Sequence, residues 1–211
     1  MEIAGEAKYV DSRGKTHSIE GVGSLPDDVN LQSLNVSGSI EFDEISCDKI
    51  KIEGSGEGNS LTAKSLSVEG SLEVEKLKVE EALEISGTIK AGTVEADEIE
   101  IESRAGKIDA VKCRKIKIFH DDGDYEVGGK FLRNVLDDFD VKVTRHKSRS
   151  RVRIKSIDAE KVDLQNCEVD VIRCTDAKIG ANCEIEKLIF SGKYEVADDS
   201  KVGEIIKEDA K

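Results

Sequence analysis

The residue types that most often perform chemistry are sparse in this chain of 211 residues. The three histidines, His17, His120 and His146, lie in polar segments without a cysteine or carboxylate at metal-ligand spacing. The sequence contains no C-x-x-C, H-x-x-x-H, nucleophile-elbow or phosphate-binding glycine motif. We therefore predict that the protein is not an enzyme and has no catalytic residue, no metal site and no cofactor, and we interpret the histidines as surface residues.

The five cysteines follow the apolar pattern of the chain. Cys47 and Cys113 stand where equivalent positions carry alanine or valine, Cys167 and Cys183 lie 16 residues apart, and Cys174 takes the place of an aliphatic residue. Since their number is odd and their spacing irregular, a disulfide framework is not indicated. Small buried side chains are the interpretation that fits, and Cys47, Cys113, Cys167 and Cys183 are predicted to be buried.

Composition sets limits on the core and on the partners. Only 4% of the residues are aromatic and tryptophan is absent, so the core must be narrow and aliphatic. The formal net charge of −13 disfavours nucleic acid, whose phosphates would repel the surface. Met1–Val10 has no apolar run that resembles a signal peptide. Together with the cysteine pattern, this favours a cytoplasmic protein.

An internal repeat predicts the elements that position these residues. Apolar pairs with one residue between them recur every 16 or 17 residues. One ladder contains Leu34/Val36, Ile50/Ile52, Leu66/Val68, Leu83/Ile85, Ile99/Ile101 and Ile116/Ile118. A second contains Ile45/Cys47, Leu61/Ala63, Leu77/Val79, Val94/Ala96 and Val111/Cys113. A third, weaker ladder contains Ile40/Phe42, Leu72/Val74 and Ile89/Ala91, and is interrupted at Ser55–Asn59.

These ladders predict an all-β chain wound as a parallel β-helix, or β-solenoid, with three short strands per coil. Each apolar pair has the period-2 pattern of a strand that buries one face, and a coil can bury that face only against its neighbours. Glycines that recur in step at Gly38, Gly54, Gly70 and Gly87 mark a corner. The glycine-rich Gly54–Gly58 is interpreted as a loose corner.

The rhythm divides the chain into segments. A first array of coils is predicted over residues 30–119, after an N-terminal segment at 1–29. Residues 120–150 interrupt it, and the periodicity of Phe131, Leu132, Val135, Leu136 and Phe139 predicts a short amphipathic helix at 129–139. A second array is predicted over 151–206, before a charged tail at 207–211. Its predicted ladders are Val152–Val169–Ile185–Val202, Val162/Leu164–Ile179–Val196 and Ile157–Cys174–Phe190.

Residues 142–155 (KVTRHKSRSRVRIK) form a basic run in an otherwise acidic chain. If its end is a strand, alternate basic side chains point outward in one row. A solvated strand face with charges that protect the edge is one interpretation. The other is a docking strip for an acidic protein, an anionic membrane surface or another subunit. The candidate residues of this basic strip are Arg145, Lys147, Arg149, Arg151, Arg153 and Lys155.

The repeat pattern resembles that of the bactofilins. The segments LNVSGSI (34–40), LSVEGSL (66–72) and LEISGTI (83–89) carry the resemblance, and residues 152–185, which end in KIGANCEI, are similar to polymer-forming members of that family. The resemblance covers roughly residues 30–205. It implies a right-handed β-helix that polymerises end to end, without nucleotide, into cytoskeletal filaments.

Three functions are weighed on this basis. The first is a structural protein that self-associates through its last coil, with Val196, Val202 and Ile205 as the contact. The second is a monomeric or small-oligomer binding module that uses the basic strip. The third follows from KIGANCEI, which matches one hexapeptide unit of the left-handed β-helix acyltransferases; those enzymes repeat the unit at 18 residues per coil, whereas here it is isolated. The self-associating structural protein is the prediction.

Overall fold

The computed structural model describes residues 16–25, 29–103, 105–120 and 151–209. Its strands are β1 (Thr16–Ser24), β2 (Val29–Glu102), β3 (Gly106–Phe119), β4 (Val152–Leu164), β5 (Cys167–Ile179), β6 (Glu184–Phe190), β7 (Tyr194–Val196) and β8 (Lys201–Lys207). They form one parallel sheet in the order β1-β2-β3-β4-β5-β6-β8, and β7 pairs with β5. This sheet is wound as a β-solenoid of about nine turns, which confirms the predicted fold class.

The apolar pairs of the sequence form the core. The inward residues of successive turns stack into columns; Leu34, Leu61, Leu83 and Ile116 are fully buried members. The residue between the members of each pair faces solvent, as Glu84 does between Leu83 and Ile85. Each turn therefore buries its apolar face only because another turn covers it.

The coils before and after residues 121–150 belong to the same stack. β3 and β4 pair directly, with Ile108 opposite Ile154 and Ile116 opposite Val162. The inner columns pass from one strand to the other without a break, so the two arrays share one core despite the long intervening segment.

One step of the second array is shorter than predicted. β5 follows β4 at 15 residues, so Ile157 lies opposite Ile172, and Cys174 lies opposite Ala159. The predicted pairings of Ile157 with Cys174 and of Val152 with Val169 are wrong, since Val152 pairs with Cys167. The cause is a shorter corner, which the spacing of apolar residues does not report.

Two kinds of corner close the turns. In the first array, Gly38, Gly54, Gly70 and Gly87 stack with φ between +132° and +142°. A Cβ at Gly54 would lie 2.1 Å from the carbonyl oxygen of Gly38, so only glycine fits. In the second array the corners carry Asn166 and Asn182 in the left-handed region, with φ of 56° and 58°.

The segment Gly54–Gly58 is not a loose corner, contrary to the sequence interpretation. Beyond Gly54 it continues as part of β2, with Gly56 buried in the column between Ile40 and Leu72. A Cβ at Gly58 would lie 2.3 Å from the ring of Phe42. The third ladder is therefore uninterrupted, because these glycines leave room for larger neighbours.

Several predictions fall outside the residues that the structure describes. These are the helix at 129–139, Arg145, Lys147 and Arg149 of the basic strip, and the segments 1–15 and 26–28. Within the described ranges, no helix has the length and apolar character needed to cross a membrane.

Candidate functional site

The last turn of the solenoid leaves the ends of three inner columns without a covering turn in the described part of the chain. Val196 ends the column of Ile101, Ile118, Leu164 and Ile179. Val202 ends the column of Ile108, Ile154, Val169 and Ile185. Ile205 ends the column of Val111, Ile157, Ile172 and Leu188. We call Val196, Val202, Ile205 and their surroundings the C-terminal end face.

Exposure rises where each column stops. Leu188 is fully buried, whereas Ile205, directly above it in the same column, is 43% exposed. Val196 and Val202 are partly buried and pack against the core from one side only. The three residues predicted for self-association thus share one position in the fold, and the structure brings them together at one end.

The backbone of this turn is also open on one side. β8 pairs with β6, and the order of the sheet gives it no second partner among the described strands. β7 pairs only with β5 in the same part of the chain. Hydrogen bonds from the last turn, such as Ala197 N to Ile179 O at 2.8 Å, run toward the preceding turn. An edge of this kind is a template for another strand.

Tyr194 is a member of the end face that the sequence analysis missed. It lies opposite Ala177 in β5, and its side chain is 43% exposed. Its ring centroid lies 4.7 Å from that of Phe190. Extending the Val162/Leu164 ladder by the short 15-residue step would have placed Ala177 next, and Tyr194 one turn later. The signal was therefore hidden by the register error described above.

The described part of the basic strip is engaged by the solenoid itself. Arg151 is half-buried, with 19% of its side chain exposed, and it contacts Glu184 at 2.9 Å and Asn182 at 2.8 Å. Arg153 is 3.2 Å from Glu168. The two residues therefore differ: Arg153 faces outward as predicted, while Arg151 is held in a corner.

Lys155 completes the described part of the strip. Its Nζ lies 2.8 Å from Oδ1 of Asp109 in the preceding turn. The hydrogen bond from Lys155 lowers the pKa of the Asp109 carboxyl. Both groups are largely exposed, so this pair contributes little to stability.

The cysteines are core residues with one partial exception. Cys47, Cys167 and Cys183 are buried as predicted, and Cys174 is buried as well. Cys113 is only partly buried, because its neighbours in the column, Ala96 and Ala159, are too small to cover it. All five thiols are free.

Burial controls the ionisation of most of these thiols. Desolvation raises the pKa of Cys113 to about 12, and it raises the pKa of Cys174 to about 12 as well. Cys167 and Cys183 face each other in consecutive turns, where their hydrogen bond raises the pKa of Cys167 and lowers that of Cys183. At neutral pH, Cys113 and Cys174 are thiols and not nucleophilic thiolates.

The side of the solenoid carries an open, acidic groove. Glu69, Glu84, Glu100 and Glu102 line it together with Phe119. Lys117 enters it, 3.1 Å from Glu100 and 4.1 Å from the centre of the Phe119 ring. The described residues include no group of three or more histidine, cysteine or acidic side chains placed to hold a metal ion.

Comparisons with known proteins add no relative. No family model matches the chain, and neither the curated proteins nor the solved structures give a significant match.

Proposed function

We propose that this protein is a non-catalytic structural protein that self-associates through its C-terminal end face into a scaffold or polymer, as the resemblance to bactofilins implies. The observation that carries the proposal is the common ending of three inner columns. Val196, Val202 and Ile205 occupy core positions, yet Ile205 is 43% exposed because no described turn lies above it. A second copy would supply the missing cover.

Two physical terms favour such a contact. Covering Ile205 and Tyr194 removes apolar surface from water, at about 25 cal/mol for each Å². The free edges of β7 and β8 gain backbone hydrogen bonds when another strand is added. Since the turns already stack about 4.8 Å apart, the edge of another copy can continue the same geometry.

The symmetry of the contact decides the product. A two-fold contact between two C-terminal end faces closes after one step and gives a dimer. Contact of the C-terminal end face with β1, the edge strand at the other end of the sheet, leaves a free end on each copy and gives an open polymer. We propose the two-fold contact, with longer filaments where the β1 edge is also accessible.

A cytoplasmic setting is part of the proposal. The support is that all five cysteines are free, and that four of them are buried in the core. Reduced thiols of this kind are typical of proteins kept in a reducing compartment.

The test is to place a charge on the end face. Ile205→Lys and Val202→Lys each put an ammonium group at an apolar contact, and light scattering is expected to show the parent as a dimer or larger and both variants as monomers. Circular dichroism should show an unchanged sheet signal, since Ile205 is 43% exposed. Val171→Lys is the matched control, because Val171 is 36% exposed on the side of the solenoid. A parent that stays monomeric at high concentration contradicts the proposal.

A further inference from the structure

One line of outward side chains changes its charge only once along six successive turns. Three members lie three residues after the stacked glycines Gly38, Gly54 and Gly70, and a fourth follows Gly87 in the same way. The register of β2 with β3 and of β3 with β4 adds the last two. We call these residues the charge column: Glu41, Glu57, Glu73, Lys90, Lys107 and Arg153.

The column places like charges on top of each other. With turns about 4.8 Å apart, three carboxylates occupy one half and three cations the other. Only Glu73 and Lys90, at the point where the sign changes, form an ion pair with each other. Within the described part of the chain, Glu41, Glu57 and Lys107 have no ion-pair partner within 4.0 Å. Stacked like charges destabilise a sheet, so the arrangement requires another explanation.

The surface beside the acidic half allows close approach. The positions two residues before Glu41, Glu57 and Glu73 carry small hydroxyl side chains, at Ser39, Ser55 and Ser71. Ser55 donates a hydrogen bond to Ser39 at 2.8 Å, and so the two rows are ordered. No large side chain in this flanking row stands between the carboxylates and a neighbouring molecule.

We propose that the charge column is a lateral interface with a second copy of this chain in antiparallel orientation. A two-fold axis between Glu73 and Lys90 places each residue opposite one of opposite charge. Glu41 meets Arg153 of the partner, Glu57 meets Lys107 of the partner, and Glu73 meets Lys90 of the partner. The same three contacts repeat on the other side of the axis.

The antisymmetry of the column identifies the occupant as a second copy. A uniformly basic partner would be attracted by Glu41, Glu57 and Glu73 but repelled by the cationic half, and an acidic partner would meet the reverse. Only a surface with the opposite order of charges satisfies all six positions, and the chain presents that surface to itself when turned by a two-fold rotation. Arg153 would exchange or share its contact with Glu168, an exposed pair that costs little to break.

This interface is independent of the C-terminal end face. It uses the sides of the turns that contain Glu41 to Arg153, while Val196, Val202 and Ile205 lie at the end of the stack. An Ile205→Lys background therefore removes the end contact and isolates the lateral one. Failure of either proposal then leaves the other open to its own test.

The experiment is a charge exchange at the pair that faces itself across the axis. In the Ile205→Lys background, sedimentation velocity is measured at ionic strengths of about 0.01 M and 1 M, where the Debye length is about 30 Å and 3 Å. We expect a dimer at low ionic strength that dissociates at high ionic strength. Glu57→Lys alone and Lys107→Glu alone should each weaken it by on the order of tenfold, since each creates two like-charge contacts.

Restoration is the decisive result. Mixing the Glu57→Lys and Lys107→Glu proteins should regain the dimer, because both contacts across the axis then join opposite charges, and the double variant should dimerise by itself. Both changes place the new charge between residues of opposite sign in its own column, so folding is not at risk. Glu100→Lys, on another side of the coil, is the matched control and should leave the dimer unchanged.

Three results would overturn the inference. The first is a monomer at low ionic strength in the Ile205→Lys background. The second is a mixture of Glu57→Lys and Lys107→Glu that stays monomeric although each variant is folded by circular dichroism. The third is an equal loss of dimer in Glu100→Lys, which would point to net charge and not to the charge column.

Discussion

The turns before residue 120 and those after residue 151 solve the same problem with different corners. In the first region the chain turns at stacked glycines such as Gly54, with φ near +132°. In the second it turns at asparagines such as Asn182, with φ of 58°. The inner columns pass through both regions without a break. The comparison indicates that the columns determine the fold, and that the corner is a local solution.

The two corners also differ in what stabilises them. The glycine corner is a backbone stack, in which Gly54 lies too close to Gly38 for any side chain. The asparagine corner uses side chains: Asn182 donates a hydrogen bond to Asn166 at 2.5 Å and accepts one from Arg151 at 2.8 Å. The first type tolerates no substitution, whereas the second distributes its stability over several weak contacts.

The largest expected effect is the loss of a glycine corner. Gly54→Ala forces a side chain into a conformation that L residues rarely adopt and against the backbone of Gly38. We expect the free energy of unfolding to fall by about 2–4 kcal/mol. Urea denaturation, followed by circular dichroism, measures the change.

The matched substitution in the second region is Asn182→Gly. Glycine adopts the left-handed region easily, so only exposed hydrogen bonds are lost and the expected change stays below about 1 kcal/mol. Equal losses for Gly54→Ala and Asn182→Gly would break the distinction between the two corners.

The sequence predicted the columns well and the corners unevenly. Pairs such as Leu83/Ile85 report burial directly, since alternate residues of a strand face opposite sides. The 15-residue step to Ile172 was missed because a corner adds or removes residues without changing the apolar pairs on either side. Gly58 was misread because glycine favours turns in general, and only the contact with Phe42 shows that it makes room for a ring.

The end face was predicted to a similar degree. Ile205 and Val202 could be identified as the last apolar residues in the ladders, and the structure places them in core columns with one side open. Tyr194 could not, since its column depends on the corrected register. The charge column escaped notice for a different reason: its members are spaced by 16, 16, 17, 17 and 46 residues, and the last interval is meaningful only once β3 and β4 are known to pair.

A smaller effect tests whether the two regions share one core. Cys113 and Cys174 occupy the same column in different regions, and burial raises the pKa of each to about 12 from 9.0. The stabilisation from keeping these thiols neutral is fully present below about pH 9. It is lost as the pH rises from about 9 to 12, because the unfolded chain ionises first. The free energy of unfolding should therefore fall over this range.

The cysteine prediction is checked with two single variants. Cys113→Ala and Cys174→Ala should each make the fall with pH shallower, and by similar amounts, when unfolding is measured by urea at pH values between 8 and 11 (about one unit apart). A change confined to one variant would show that the two regions differ in solvent access. Iodoacetamide should react slowly with both residues in the folded protein at neutral pH.

The smallest effect concerns two arginines that follow the intervening segment. Arg151 is half-buried in the asparagine corner, where it contacts Glu184 and Asn182, two turns away. Arg153 is 67% exposed and contacts only Glu168 in the next turn. Removing Arg151 leaves a carboxylate and an amide without their donor, whereas removing Arg153 restores hydration to an exposed carboxylate. We expect Arg151→Ser to cost about 1–2 kcal/mol and Arg153→Ser less than about 0.5 kcal/mol. The measurement is urea denaturation at high ionic strength, which removes any contribution of lateral association. Amide hydrogen exchange sharpens the test: Asn166 N donates to Ala181 O at 2.9 Å across this corner, and its exchange should accelerate in Arg151→Ser and not in Arg153→Ser. If both variants lose the same stability with unchanged exchange at Asn166, the second region does not depend on side chains at its corners, and the contrast with the glycine corners fails.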